Sequence, residues 1–392
     1  MSPASQLVRA TMRFAAAAVV VAVPMILPTS AAGAALSLPS WQIVQPMPQG
    51  RSDAVGIRLD DGRVLIAGGQ VQGSYAASAS AELYSPTSDS WAPAADLLLG
   101  RERPMGLKLQ DGRALIVGGF CNGNLPACPI SATGTAETFD PTTDTWTSAG
   151  AALTDGLFEG TLTLLKDGRV LLVGGDQCNR EYCQSSANAY LFDPTTNTWT
   201  QTGSMHEART YAASFVLSDG RVLVAGGICD QDPCDAPNPG LTAEIFDPAQ
   251  GTWTYAASPL RAPGYPALID SGDGSPLLLG AGNVVQKYDA TSDSWSLAAP
   301  TPCDYGTFNG GDTHATPFGA MSTFVIGLTN CRNASSTAAM IYRPDFGWLP
   351  TTTTYDHLAG YMLVTLADGR VLLAGGGFGD DDPAAKAVEI LS

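Results

Sequence analysis

From Asp61 onward, short apolar runs alternate with polar turns, and the same order of elements returns about every fifty residues. "DGRVLIAGG" (Asp61–Gly69) is followed by "DGRALIVGG" (Asp111–Gly119), "DGRVLLVGG" (Asp167–Gly175), "DGRVLVAGG" (Asp219–Gly227) and "DGRVLLAGG" (Asp368–Gly376), with a degenerate "DGSPLLLGAG" starting at Asp273. An unbroken apolar run this short, bounded by turn residues, predicts a strand buried on both faces rather than a helix. The Asp-Gly pair predicts a tight turn joining first strand to second. The Gly-Gly pair allows a sharp bend or a close backbone approach. A second element follows in the first four units: "AELYSPTSDSW", "AETFDPTTDTW", "AYLFDPTTNTW" and "AEIFDPAQGTW". Its aromatic, Pro-containing turn and tryptophan predict a third strand, a tight turn and a fourth strand whose indole fills space between neighbouring sheets.

A lone four-stranded meander cannot bury both faces, so the units must stack, and radial stacking gives a propeller. The seven tryptophans, Trp41, Trp91, Trp146, Trp199, Trp253, Trp295 and Trp348, fall 42 to 55 residues apart. Double glycine, later aromatic and tryptophan in units of about fifty residues resemble the kelch repeat, over Leu36 to Ser392. The resemblance implies an all-β fold, a seven-bladed kelch-type β-propeller. The sixth unit is the most divergent, with "FVIGL" (Phe324–Leu328) in place of the glycine strand and "IYRPDFGW" (Ile341–Trp348) after it. The last unit ends at "AVEILS" without a tryptophan, while "PSWQIVQPM" (Pro39–Met47) carries an orphan one, Trp41. The N-terminal strand is therefore expected to close the ring as the outer strand of blade seven, removing an open edge. The alternative is six blades, with Cys303 to Trp348 as an insertion.

Composition adds the compartment. Residues 1–35 read as a secretory signal: Arg9 and Arg13, the apolar run Phe14 to Leu27 interrupted by Pro24, and small residues at Ser30–Ala35. That run is short for a membrane span, so the expected product is one secreted domain, 36–392, with no span after cleavage. The formal net charge is −17, or about −19 without Arg9 and Arg13. So acidic a body argues against nucleic acid and anionic lipid as partners.

Behind an export signal, eight cysteines point to disulfides. In antiparallel blades the loops between strands two and three open on the same face as the links between blades. That geometry pairs Cys121 with Cys128, Cys178 with Cys183, Cys229 with Cys234, and Cys303 with Cys331. Loops pinned in one shape suggest a binding surface; protection from proteases is the other reading. The wall of loops is low at blade five, where only Asn283 and Val284 precede the third strand.

Counting back from the Asp-Gly turns, Arg51, Arg101, Arg209 and Arg261 stand at the start of the innermost strands, with Leu157 and Leu358 in the matching places. Guanidinium forks suit carboxylates, sulfates or phosphates, and kelch domains that bind acidic peptides use arginines in similar places. An anion-binding mouth is one expectation. Ion pairing with Asp53, Glu102 and Glu159, tying blades together, is the other.

Catalytic patterns are sparse. The copper site of galactose oxidase-like propellers needs two histidines and two tyrosines, whereas this chain has only His206, His314 and His357, and its nearest approach to the pattern is Tyr355–His357. Sugar-acid epimerases of this class work by proton transfer, for which Glu159, His206 and His357 are candidates. The acids Asp230, Asp232 and Asp235, and Asp380, Asp381 and Asp382, follow no twelve-residue calcium loop. No catalytic residue, metal or cofactor is assigned. The expected function is binding of an extracellular polysaccharide or protein, an anionic one among the candidates, with an epimerase or mutarotase-like enzyme as the alternative.

Overall fold

The computed structural model describes residues 39–74, 76–121, 132–151, 156–178, 183–229, 239–263, 265–280, 282–302, 304–305, 314–318, 322–329, 338–352, 360–376 and 383–392. The expected signal segment, 1–35, lies outside them. The described chain is all-β, apart from single 3-10 turns at Pro239–Leu241 and Pro383–Lys386.

Each repeat forms an antiparallel meander. Sheet 1 contains Val55–Arg58, Val64–Ala67, Ala81–Ser85 and Ser90–Ala94; sheet 2 contains Met105–Lys108, Ala114–Val117, Thr135–Asp140 and Thr145–Ala151. Sheet 3 runs through Thr161–Leu164, Val170–Val173, Ala189–Asp193 and Thr198–Gln201, and sheet 4 through Ala213–Val216, Val222–Ala225, Ala243–Asp247 and Thr252–Ala256. Sheet 5 holds Ala267–Asp270, Pro276–Leu279, Val285–Asp289 and Ser294–Leu297. In sheet 6, His314–Phe318, Ser322–Thr329, Ala338–Arg343 and Gly347–Thr352 pair in order, and Asp304–Tyr305 also pairs with the second strand. Sheet 7 combines Met362–Thr365, Val371–Ala374 and Val388–Leu391 with Trp41–Ile43, which pairs antiparallel to Val388–Leu391. Four-stranded antiparallel sheets repeated in this way are consistent with a β-propeller.

The repeated residues explain the stacking. The apolar run after each Asp-Gly turn is the second strand, buried at every position in sheets 1 to 5 and 7. The core lies between sheets: Ile57 and Leu65 of sheet 1 share a cluster with Ile116, Phe139 and Trp146 of sheet 2. Trp146 Nε1 donates to Ala95 O at 2.8 Å, in the link before its own sheet, and Trp199 and Trp253 repeat the bond to Ala149 and Gly203. Such a bond contributes about 1 kcal/mol net, and the indole's contact with Phe139, at 5.0 Å between ring centres, adds about 0.5–1.5 kcal/mol. The arginine of the turn supplies a second inter-sheet tie. Asp111 holds Arg113 locally, and Arg113 Nη2 donates to Pro194 O of the next sheet at 2.9 Å. Arg169 does the same to Pro248 O at 3.0 Å.

The first glycine of the pair marks a close approach between neighbouring units. Gly118 has φ +68, and a Cβ there would stand 2.4 Å from Leu157 O. The second glycine's amide makes use of that approach, Gly119 N donating to Leu157 O at 2.9 Å. Within this framework the first strands of successive sheets adjoin one another, Val55–Arg58 touching both Met105–Lys108 and Met362–Thr365.

Candidate functional site

The segments leading into the first strands hold the arginines singled out in the sequence. Arg51, Arg101 and Arg209 have no exposed surface. Arg101 Nη1 donates to Gly118 O at 2.9 Å and Thr135 O at 3.0 Å, while Nη2 meets Glu137 Oε1 at 2.6 Å. Arg209 repeats the arrangement with Gly226 O, Thr242 O and Glu244, and Arg51 with Gly68 O, Ser80 O and, at 3.5 Å, Glu82. Burial pulls the pKa of each guanidinium down, against the opposing pull of its glutamate. Charges this deep persist because they are paired and hydrogen-bonded. The partners therefore differ from Asp53, Glu102 and Glu159, because each side chain runs into its own sheet and meets the third-strand glutamate. Arg261 departs from the set: it is exposed, and its backbone N–H and carbonyl are held by the side chain of Gln286.

The repeat itself carried a signal for these partners. Sheets 1, 2 and 4, which have the buried arginine, carry Ala-Glu in the third strand (Glu82, Glu137, Glu244), and sheet 3, with Leu157, carries Tyr190 instead. Leu157 and Tyr190 pack in one apolar cluster.

Two residues after each of these positions stand Asp53, Arg103, Glu159 and Tyr211. All four have left-handed backbone, with φ of 54, 50, 57 and 55°. None is glycine, and a left-handed conformation is costly for side chains of this size. In sheet 7 the matching place is taken by Gly360, φ +66. Backbone bonds link the positions between sheets: Asp53 N donates to Gly360 O, Arg103 N to Asp53 O, and Tyr211 N to Glu159 O.

These four residues converge on a cavity of about 230 Å³, completed by Ala54, Pro104, Met105, Gly160, Gly360 and Tyr361. Arg103 spans it, with Nε 3.1 Å from Asp53 Oδ1 and Nη1 3.2 Å from Glu159 Oε1. Tyr211 hydrogen-bonds Glu159 through its side chain, and its ring meets Tyr265 edge-on at 4.9 Å. Burial raises the Glu159 pKa to about 7 despite the hydrogen bond from Tyr211 and the charge of Arg103; Asp176 also pushes it up. The Tyr211 hydroxyl is pushed well above the usual phenol range, first by burial and then by its bond to Glu159. Glu102 is raised by burial and by the charge of Asp53.

One cysteine pair lies in a small three-stranded sheet beside the segment that leads to Glu159. Cys178 and Cys183 are bonded to each other and close a hairpin of Asp176–Cys178 and Cys183–Ser185. The hairpin pairs with Gly156–Phe158, the segment that ends one residue before Glu159. Phe158 packs with Phe120, Ala132 and Cys178, and buried Asp176 accepts from Ser185 Oγ at 3.0 Å. Cys121 and Cys229 are also disulfide-bonded. Cys128, Cys234, Cys303 and Cys331 lie outside the described residues, as do Tyr355, His357, Leu358 and the two acidic clusters. His206 lies away from the cavity: its Nδ1 is 2.8 Å from Glu244 Oε2, and its ring stacks on Tyr255. Among the described residues, no three His, Cys, Asp or Glu side chains are grouped to hold a metal, and no helix is long and apolar enough to cross a membrane.

No family model matches the chain. Spermatocyte protein spe-26 of Caenorhabditis elegans is 31% identical over 124 residues, covering 31% of this chain and 21% of that protein. Kelch-like protein 35 of Mus musculus is 27% identical over 124 residues, covering 30% of this chain and 20% of that protein. The chain thus spans about a fifth of the length of these kelch-containing relatives, and the similarity supports a kelch-type family.

Proposed function

We propose that this chain is a secreted, seven-bladed kelch-type propeller that binds a carbohydrate or protein ligand at the cavity between Asp53, Arg103, Glu159 and Tyr211. The ring reading is supported by the pairing of Trp41–Ile43 with Val388–Leu391 and by the adjoining first strands of sheets 7 and 1. Secretion is supported by the signal-like segment and by the Cys178–Cys183 disulfide, a bond favoured in oxidising compartments. A binding role is in keeping with the kelch-containing relatives.

One observation carries the site: four polar or aromatic side chains occupy a glycine-favouring backbone position at the same register and converge on one cavity. Backbone strain of this kind persists where surrounding structure enforces it and gathers at functional sites. Arg51, Arg101 and Arg209 are buried and bonded within their own sheets, two residues before Asp53, Arg103 and Tyr211, which favours the cavity residues over these arginines as the ligand contacts. A glycan-array and pull-down screen of the secreted domain, run with Arg103→Gln beside it, tests the reading. Capture that the substitution abolishes supports it; capture indifferent to the substitution moves the site elsewhere.

A second reading, sugar-acid isomerisation, is favoured by Glu159 alone, whose pKa of about 7 suits a group that gives and takes protons near neutrality.

A further inference from the structure

The charge balance of the cavity runs against the anionic ligand that the sequence suggested. Among the described residues Arg103 is the one guanidinium lining the cavity, Asp53 and Glu159 both engage it, and Asp53 and Asp176 place further negative charge near Glu102 and Glu159. An incoming carboxylate or sulfate would have to displace those partners while meeting the same negative field. A bare cation would compete with Arg103 for oxygens already in use.

What remains on offer is a mixed set of donors and acceptors. Asp53 and Glu159 present acceptor oxygens, Tyr211, whose proton goes to Glu159, presents its hydroxyl oxygen as a further acceptor, Arg103 presents donors, and Met105, Pro104 and Tyr361 form apolar wall. At about 230 Å³ the cavity falls below the size that takes drug-sized ligands, so it fits one ring or one side chain. We infer that the cavity recognises a single uncharged sugar unit, dividing its hydroxyls between the acceptors Asp53, Glu159 and Tyr211 and the donor Arg103. This rests on the binding reading above and deepens it by fixing the class of ligand and naming four recognition residues. Vicinal hydroxyls both donate and accept, so they join the existing network without leaving a buried charge unpaired.

The test is a calorimetric and NMR titration of the secreted domain with neutral hexoses, the matching uronates and protonated hexosamines. Wild type is compared with Arg103→Gln and Tyr211→Phe, each checked for folding by its melting curve. A neutral hexose is expected to bind at least about tenfold more tightly than its uronate, and both variants are expected to weaken it by about tenfold or more. A uronate or hexosamine preferred over the neutral sugar overturns the inference. So does a neutral sugar whose binding neither variant changes, or the absence of any neutral-sugar response at concentrations that fill weak sites. If Arg103→Gln abolishes capture of a protein while no sugar responds, the cavity is still a binding site and only the ligand class is wrong.

Discussion

Arg101 Nη2 lies 2.6 Å from Glu137 Oε1 with almost no solvent at either side chain, and sheet 3 holds Leu157 and Tyr190 at the same two places. A buried pair and an apolar pair thus solve one packing problem. Arg101→Leu alone leaves Glu137 charged and buried without its guanidinium, and is expected to cost about 3–5 kcal/mol. Arg101→Leu with Glu137→Tyr copies sheet 3 and should recover most of that loss, less about 1 kcal/mol for each of the Leu98 and Leu99 amides that Glu137 now holds. Urea unfolding of the single and double variants gives the answer; a double variant as unstable as the single one would mean that the pair does more than fill its place.

How far the sequence could be read follows from what each repeated residue touches. The second strand and the tryptophan make the same contact in sheet after sheet, so repetition alone marks them, whereas the tie of the turn arginine to the next sheet shows only in the structure. The arginines Arg51, Arg101 and Arg209 were also visible, but whether they face the ligand or the sheet depends on side-chain direction, which spacing does not give. The Ala-Glu third strands were the available clue, since glutamate appears where arginine does in sheets 1, 2 and 4. Asp53, Arg103, Glu159 and Tyr211 share a register but no chemistry. Their common property is backbone conformation, and only Gly360 at the matching place hints at it.

Gly118 offers a test of the close approach between sheets 2 and 3. Ala at this position meets both a left-handed φ and the Leu157 carbonyl, so Gly118→Ala should destabilise by roughly 2–4 kcal/mol. Gly73 also has positive φ, but nothing lies within 4 Å of its would-be Cβ, and Gly73→Ala should cost only about 1 kcal/mol. Equal losses in the two variants would show that conformation, not the inter-sheet contact, sets the cost.

Glu159 gives stability a pH dependence of known sign. Its folded pKa is about 7 against an ordinary value of 4.5, so the unfolded chain releases this proton first as pH rises. The resulting contribution to stability is fully present below about pH 4.5 and lost by about pH 7, and amounts to at most about 3 kcal/mol, less what partial solvent contact screens. Glu159→Gln should flatten that part of the profile. Denaturant midpoints at several pH values check this, and an unchanged slope in the variant would assign the dependence to another group.

The hairpin closed by Cys178 and Cys183 pairs with the segment that delivers Glu159. Replacing both cysteines by serine should remove about 2 kcal/mol on the loop-entropy argument, and should weaken ligand capture beyond what the lost stability explains. Capture that survives at full strength would confine the disulfide to protecting the loop.

If the left-handed residues are kept for the ligand at the expense of the fold, Arg103→Gly with Glu159→Gly separates the two. Glycine relieves both backbones and gives up two partly exposed ion pairs, Arg103 with Asp53 and with Glu159, each worth about 0–1 kcal/mol, together with the hydrogen bond from Tyr211 to Glu159. The melting temperature and ligand capture would be measured on the same preparation. The melting temperature is expected to hold or rise while capture disappears; a sharp fall in melting temperature, or capture that persists, would mean that these residues serve the fold or that the ligand binds elsewhere.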